Sequence, residues 1–206
     1  MPETTSVMVT PEQYRALQRP IIKLPTPQEL FDFQVECLVA KQLAEYKHAD
    51  PFRKKLPEAG LFVFVPPKLS TFDLKHLMSM VEVGGKKGAN YLDIEHLKDV
   101  IDVPQGAYLM DDVEDGAQRL NTKPSVSEKQ IETDGRSPFI TYEGIILAAV
   151  FPVLKDHNMD LLGSRCESGS VPSLGLLDGV PRLHARFGDD ANPAWGAPSC
   201  GSRIGA

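Results

Sequence analysis

Cysteine is scarce in this 206-residue chain, which has three, at 37, 166 and 200, and no CxxC pair. So odd and sparse a set reads as reduced thiols of a cytoplasmic protein rather than a disulfide framework, although a Cys166–Cys200 bridge is compatible with the spacing. The longest apolar run, Ile145 to Leu154, is ten residues and contains Pro152, whereas a spanning helix needs ~20. No membrane partner is therefore expected. The first twenty residues show no basic stretch followed by an apolar one, so no secretory leader is expected either. Cationic excess is also missing: 22 Lys and Arg stand against 28 Asp and Glu, a net charge of −6. That balance argues against nucleic acid as a partner and against a polybasic membrane binder. What is present is ordinary globular usage, 42% hydrophobic and 24% charged. A chain of this length buries roughly 70% of its unfolded surface and needs no staple.

Two helix starts share one grammar. Thr10-Pro11-Glu12-Gln13 and Thr26-Pro27-Gln28-Glu29 each offer a hydroxyl to an orphan amide, a proline whose missing N–H costs nothing there, and a side chain that reaches back. They predict helices over 11–18 and 27–47, the first in an N-terminal arm (1–25), the second opening a single α+β domain (26–206). The second helix carries two apolar stripes, one through Phe31, Val35 and Leu38, the other through Leu30, Phe33 and Cys37. Two stripes fit a helix packed between layers of its own domain, or one stripe that meets a second copy, making 27–47 a candidate homo-oligomer surface.

Leu61 to Val65 reads as a buried strand halted by Pro66-Pro67. Ser70-Thr71-Phe72-Asp73 opens a helix with Leu74, Leu77, Met78 and Val81 on one face. Asp93 caps a short helix to about Val100, 107–112 forms a second strand, and Ser125-Val126-Ser127-Glu128 is a capping box for a helix to about Thr133. The stretch from Thr141 to Leu154 is apolar on every face over Ile145–Phe151, which fits a buried helix or a central strand. Its length and Ala148-Ala149 favour helix, ending near Pro152.

After Lys155 the composition changes. Every cation from Asp160 onward is arginine (165, 182, 186 and 203), and half of the sixteen glycines lie there. Asp178-Gly179 tolerates the positive φ of a two-residue hairpin turn. The turn pairs Leu177 with Val180, Leu176 with Pro181, Leu174 with Leu183 and Ser173 with His184. Leu174, Leu176, Leu183, Ala185 and Phe187 then share the apolar face, with Arg182, His184 and Arg186 outward on the other. Residues 159–166 add a third strand. The expected architecture is thus α+β: a helical N-terminal two-thirds with short strands, packed on a small antiparallel β-meander in the Gly- and Arg-rich region 159–206.

Motifs for cofactors and metals fail on spacing. Gly84-Gly85-Lys86-Lys87-Gly88 lacks the first glycine and final hydroxyl of a phosphate loop and follows a predicted helix, so it reads as a helix-ending turn. Asp111 to Gly116 has the charge of a calcium loop but Val113 and Thr122 where ligands belong. Five histidines show no paired ligand spacing. No metal or cofactor is expected.

The remaining chemistry is C-terminal. Gly163-Ser164-Arg165-Cys166 and Cys200-Gly201-Ser202-Arg203 each set a thiol beside a guanidinium, which lowers a thiol pKa and offers a planar fork to carboxylate or phosphate. Arg165, Arg182, Arg186, Arg203 and Trp195, the single tryptophan, are the candidate residues for a small anionic ligand. Cys166, Cys200 and His184 are the candidates for catalysis. The bland alternative pairs the arginines with Asp178, Asp189 or Asp190 and uses the cysteines and Trp195 as core fillers.

From about residue 60 to the end, the chain resembles a bacterial family known only as a domain of unknown function. The resemblance rests on Arg136-Ser137-Pro138, Glu143-Gly144-Ile145, Phe151-Pro152, Leu161 to Cys166, Val171-Pro172 and the tail from Trp195 to Arg203. It implies a bacterial origin and brings no activity or catalytic residue with it. The functional expectation is a non-catalytic ligand- or partner-binding protein. The alternative is an enzyme for a small anionic substrate, with a cysteine nucleophile and an arginine clamp.

Overall fold

The computed structural model describes residues 25–68, 73–167 and 169–206. The expected helix over 11–18 and the hydroxyls of Ser70 and Thr71 lie outside the described residues. Thr26 opens α1 (Pro27–Ala40) through a reciprocal cap: its hydroxyl accepts the Glu29 amide at 3.2 Å, and the Glu29 carboxylate accepts the Thr26 amide at 2.7 Å. The helix ends well short of residue 47. Gln42 adopts a φ of 59°, and the amides of Leu43 and Gln42 turn back to the carbonyls of Leu38 and Val39. This is a Schellman closure with glutamine where glycine is usual, so the sequence carries no visible stop signal.

Both stripes of α1 find partners within the chain. Leu30, Phe31, Val35 and Leu38 are buried, Phe33 lies 6.2 Å from Phe151 between ring centroids, and Cys37 Sγ donates to the Ala149 carbonyl at 3.6 Å. Between the stripes sits Gln34, fully buried. Its amide nitrogen donates to the Phe62 carbonyl and its oxygen accepts the Phe64 N–H, so a side chain does the work of a neighbouring strand.

The chain continues through α2 (Tyr46–Ala49), β1 (Val63–Val65), α3 (Leu74–Ser79), β2 (Glu82–Val83), β3 (Lys86–Lys87) and β4 (Ala89–Asn90). Next come β5 (Leu97–Asp99), β6 (Tyr108–Asp111), α4 (Pro124–Thr133), β7 (Ser137–Pro138) and α5 (Thr141–Val150). The last segments are β8 (Asn158–Asp160), β9 (Ser164–Cys166), β10 (Val171–Leu177), β11 (Val180–Arg186), β12 (Trp195–Gly196), β13 (Ser199–Cys200) and β14 (Ser202–Gly205).

The expected helical N-terminal two-thirds over a C-terminal meander does not form. The five helices of the described residues are short, and strands alternate with them from residue 63 onward. The strands make five sheets: β1-β6-β14, β12-β8-β10-β11-β4, and the pairs β2-β3, β5-β9 and β7-β13. Most of them join distant parts of the chain, because short N-terminal strands leave backbone groups that C-terminal residues satisfy. β14 lies antiparallel to β6, and β4 lies parallel to β11.

The same competition corrects two helix starts. Asp93 caps only one 3₁₀ turn, Ile94–His96, after which Leu97–Asp99 pairs with Ser164–Cys166 as a strand. At α4 the start is Pro124 with Lys123 as N-cap, so Ser125 lies inside the helix instead of capping it. Gly84 and Gly85 form the two-residue loop of the β2–β3 hairpin, not a helix end.

The Asp178-Gly179 hairpin has the expected register, with φ of 52° and 73° at the turn. Its faces are sorted differently. Leu174 and Leu183 are buried, but the apolar face outlasts the core, leaving Ala185 exposed and Phe187 83% exposed. The arginine face is not outward: the Arg186 side chain is only 10% exposed. Helix α5 is buried along its whole length. It packs into a core that runs from Leu30 to Cys200 and takes in residues of both halves of the chain. Among the described residues no helix is long and apolar enough to cross a membrane.

Relieving the left-handed glutamine tests the α1 closure. Gln42→Gly is expected to raise stability by about 0.5–1 kcal/mol in urea unfolding, because glycine removes the ~1–2 kcal/mol steric cost and returns part of it as entropy.

Candidate functional site

The sequence-derived candidates fall in three separate places. On β11 and β12, Arg186 stacks over the Trp195 ring at 4.3 Å, and His184 meets the same ring edge-on at 5.3 Å. Arg186 Nη1 donates to both oxygens of buried Asp160 at 3.2 and 3.1 Å, and Nη2 reaches Asp190 at 3.3 Å. Asp160 also accepts the Ser173 hydroxyl at 2.8 Å. Gly175 lets Trp195 lie this close, since a Cβ there would fall 2.7 Å from the ring. Arg182 pairs with Asp178 at 3.4 Å and lies over Tyr91 at 5.7 Å.

The second place is the core. Arg203 grips Glu143 with Nε to Oε1 at 2.7 Å and Nη2 to Oε2 at 2.8 Å, while Nη1 donates to the Ser137 hydroxyl. Tyr108 donates to the same carboxylate at 2.8 Å, and the Ile140 amide at 2.9 Å. Isoleucine at the N-cap of α5 has no side-chain acceptor for the amides of the first turn, and Glu143 takes the N-cap's own amide, one half of a capping box. Glu143 is fully buried, and each of the three nitrogens of this fork is engaged inside the protein.

The third place is β9. Arg165 donates to the Leu162 and Ser164 carbonyls and pairs with Glu128 at 2.5 Å. Cys166 lies apart from Cys200, and all three thiols are free. Burial pushes the Cys200 thiol up to about 12, outweighing the help of Arg203. Burial likewise raises Cys166, against a hydrogen bond from Ser170 and the charge of Arg165. Neither neighbouring guanidinium overcomes desolvation.

Two recesses open on either side of the segment 91–99. The more open one, about 530 Å³ with its mouth, is lined by Tyr91, Asp93, His96, Cys166 and Glu167 among others. Its charged groups answer one another: His96 lies 3.7 Å from Asp93 and 3.4 Å from Glu167.

The other recess, about 350 Å³ with its mouth, lies at the start of α5. Leu74 and Leu77 of α3 and Ile94 and Leu97 form its apolar wall, while Thr141, Tyr142, Asp99 and Lys68 supply polar groups. Thr141 is only 2% exposed, yet its Oγ1 has no hydrogen-bond partner among the described residues. Leaving a buried hydroxyl unpaired costs about 1–3 kcal/mol. Arg182 Nε and His184 Nε2 are also unpaired, but neither residue lines either recess.

Around Thr141 the backbone is held firmly. Its amide donates to Ser164 Oγ at 2.9 Å, and that hydroxyl donates to Asp99 Oδ1 at 2.6 Å. Gly163 passes so close to Phe139 that a Cβ would lie 2.8 Å from its backbone, which sets Ser164 against the helix start. Tyr142 donates to the Pro66 carbonyl at 3.2 Å. The recess therefore offers a hydroxyl, the positive end of a ten-residue helix and an ammonium at the rim. Sequence reasoning missed Thr141, Asp99 and Lys68, whose only signal was position: Thr141 opens the apolar helix and faces a wall contributed by residues 74–99.

Alkylation checks the thiols. Cys200 is expected to stay unmodified by iodoacetamide at neutral pH until the protein unfolds. The rate at Cys166 is expected to rise only above the pH at which an exposed thiol titrates, because a raised pKa keeps the protonated form dominant. Separately, Arg203→Ala strands a buried carboxylate, and a loss of about 3–5 kcal/mol in urea unfolding is expected.

Neither the curated proteins nor the solved structures contain a match to this chain. A family match spans residues 26–195, and so includes both recesses and the Arg186–Trp195 stack but not Cys200 or Arg203. On that match the chain belongs to DUF5701, a family of unknown function.

Proposed function

We propose that this protein is a non-catalytic binding protein for a small carboxylate, held in the recess at the start of α5. The observation that carries the reading is the Thr141 hydroxyl, buried at the wall of that recess without a partner. That oxygen is closed to a water-sized group at rest, so a ligand acceptor satisfies it as the wall of the recess gives way. A carboxylate suits the surroundings, with the helix dipole behind it and Lys68 at the rim, whose ammonium makes no ion pair among the described residues.

The arginine face that the sequence favours for anions has its charges matched internally by Asp160, Asp178 and Asp190. An enzyme with a cysteine nucleophile is not favoured, since burial raises both candidate thiols and the nearby forks are engaged.

Thr141→Val, which keeps the shape and removes the hydroxyl, separates the reading from a purely structural role. The variant is expected to be more stable than the parent by about 1 kcal/mol, because an unpaired buried hydroxyl is gone. With isovalerate as probe, the parent is expected to show millimolar binding by calorimetry and the variant at least a tenfold loss. A parent that takes up no isovalerate, or a variant that binds it equally, overturns the reading.

A further inference from the structure

The recess at the start of α5 is nearly shut, while its neighbour across the segment 91–99 is not. With open solvent left out, the first measures about 40 Å³ and the second about 250 Å³, against roughly 300–1,000 Å³ for small-molecule sites in general. A wall of the first has to move before a ligand enters. Most of that wall is fixed. Helix α5 is buried along its length, Leu74 and Leu77 of α3 are buried, and Leu97 and Asp99 belong to β5, which is paired with β9. Ile94 is the exception, 45% exposed on the 3₁₀ turn Ile94–His96, a turn with no buried residue.

The turn is closed on itself. The Glu95 amide donates to Asp93 Oδ1 at 3.1 Å, the His96 amide to the Asp93 carbonyl at 3.2 Å, and the Leu97 amide to the Ile94 carbonyl. Just before it, Asn90 brackets Leu92, with Nδ2 donating to the Leu92 carbonyl at 2.7 Å and Oδ1 accepting its amide at 3.0 Å. Just after it, β5 begins. Among the described residues no hydrogen bond ties Asp93–His96 to a distant part of the chain. Its outside polar contact is His96 to Glu167 at 3.4 Å, and both of these residues line the open recess.

Resting on the carboxylate site proposed above, we infer that the turn Asp93–His96 is the gate of that site. It swings as one piece between Leu92 and Leu97 into the open recess, drawing Ile94 out of the wall it shares with Thr141. The motion breaks no bond to a distant segment and exposes little that is not already exposed, which places it among the low-cost local openings of a fold. Leu92 and Ala185 in the open recess offer Ile94 apolar contact in exchange.

Thr141→Cys reports the opening without a ligand. Its alkylation by iodoacetamide at mildly alkaline pH, mapped by mass spectrometry on the full chain, is expected to be insensitive to low urea, as a local opening is. In that background Ala185→Phe, which fills the open recess from an exposed strand position, is expected to slow the reaction about tenfold, and Ile94→Ala to speed it by a similar factor. Both variants are checked for folding by circular dichroism. A rate untouched by both variants, or one that climbs with urea from the first addition, overturns the gate.

Calorimetry with isovalerate separates this inference from the reading it rests on. With Thr141 in place, Ala185→Phe is expected to lose about tenfold in affinity although Ala185 lies outside the site. Equal binding by parent and Ala185→Phe overturns the gate and leaves the carboxylate site standing. A parent that takes up no isovalerate while the alkylation pattern holds overturns the carboxylate and supports the gate.

Discussion

A carboxylate at the centre of the core governs this fold. Helix α5 is buried on every side, and Glu143 stands in its first turn with no exposure to solvent. An isolated charge there is untenable, so a cation must arrive. It arrives from the far end of the chain, as Arg203 on β14. Burial works against the guanidinium's charge, and the two hydrogen bonds and the charge of Glu143 more than offset it. The same carboxylate holds the Tyr108 hydroxyl of β6, and β14 pairs with β6. One ion pair thus pins the C-terminal strand, the central strand of the three-stranded sheet and the start of the buried helix to one another.

That pinning has a consequence one turn earlier. Glu143 takes the amide of Ile140 at the N-cap, and Thr141, the first residue of the helix, lines the recess. Ser164 takes the Thr141 amide, and Gly163 permits the approach. The helix start is therefore rigid, charged at its positive end and incompletely satisfied. Rigid placement with one polar group in reserve is the arrangement expected of a site prepared for a ligand. The arginines of β11 present the opposite case, since their charges are matched by Asp160, Asp178 and Asp190 and they stack on Tyr91 and Trp195.

Local chemistry was legible where it acts over a few residues. The Thr26 cap, the Asp178-Gly179 turn with its register, the strand at 63–65 and the end of α5 before Pro152 are all written in adjacent side chains. Elsewhere a distant partner outbid the local signal. Leu97–Asp99 left a predicted helix because Ser164–Cys166 offered a strand. The α1 stop at Gln42 stayed hidden because glutamine carries a conformation normally marked by glycine.

The candidate site divides the same way. Sequence alone determined which residues carry charge, which stretches are apolar and where the backbone reverses, since these depend on residue type and near neighbours. It also set Arg beside Cys twice, although not whether those pairs would be solvated. Only the tertiary structure decided that the forks at Arg165 and Arg203 close on Glu128 and Glu143, that burial keeps the thiols protonated, and that Thr141 meets Leu74, Ile94 and Asp99 across a recess. Those outcomes depend on burial and on contacts between residues tens of positions apart, and desolvation has no signature in the order of the letters.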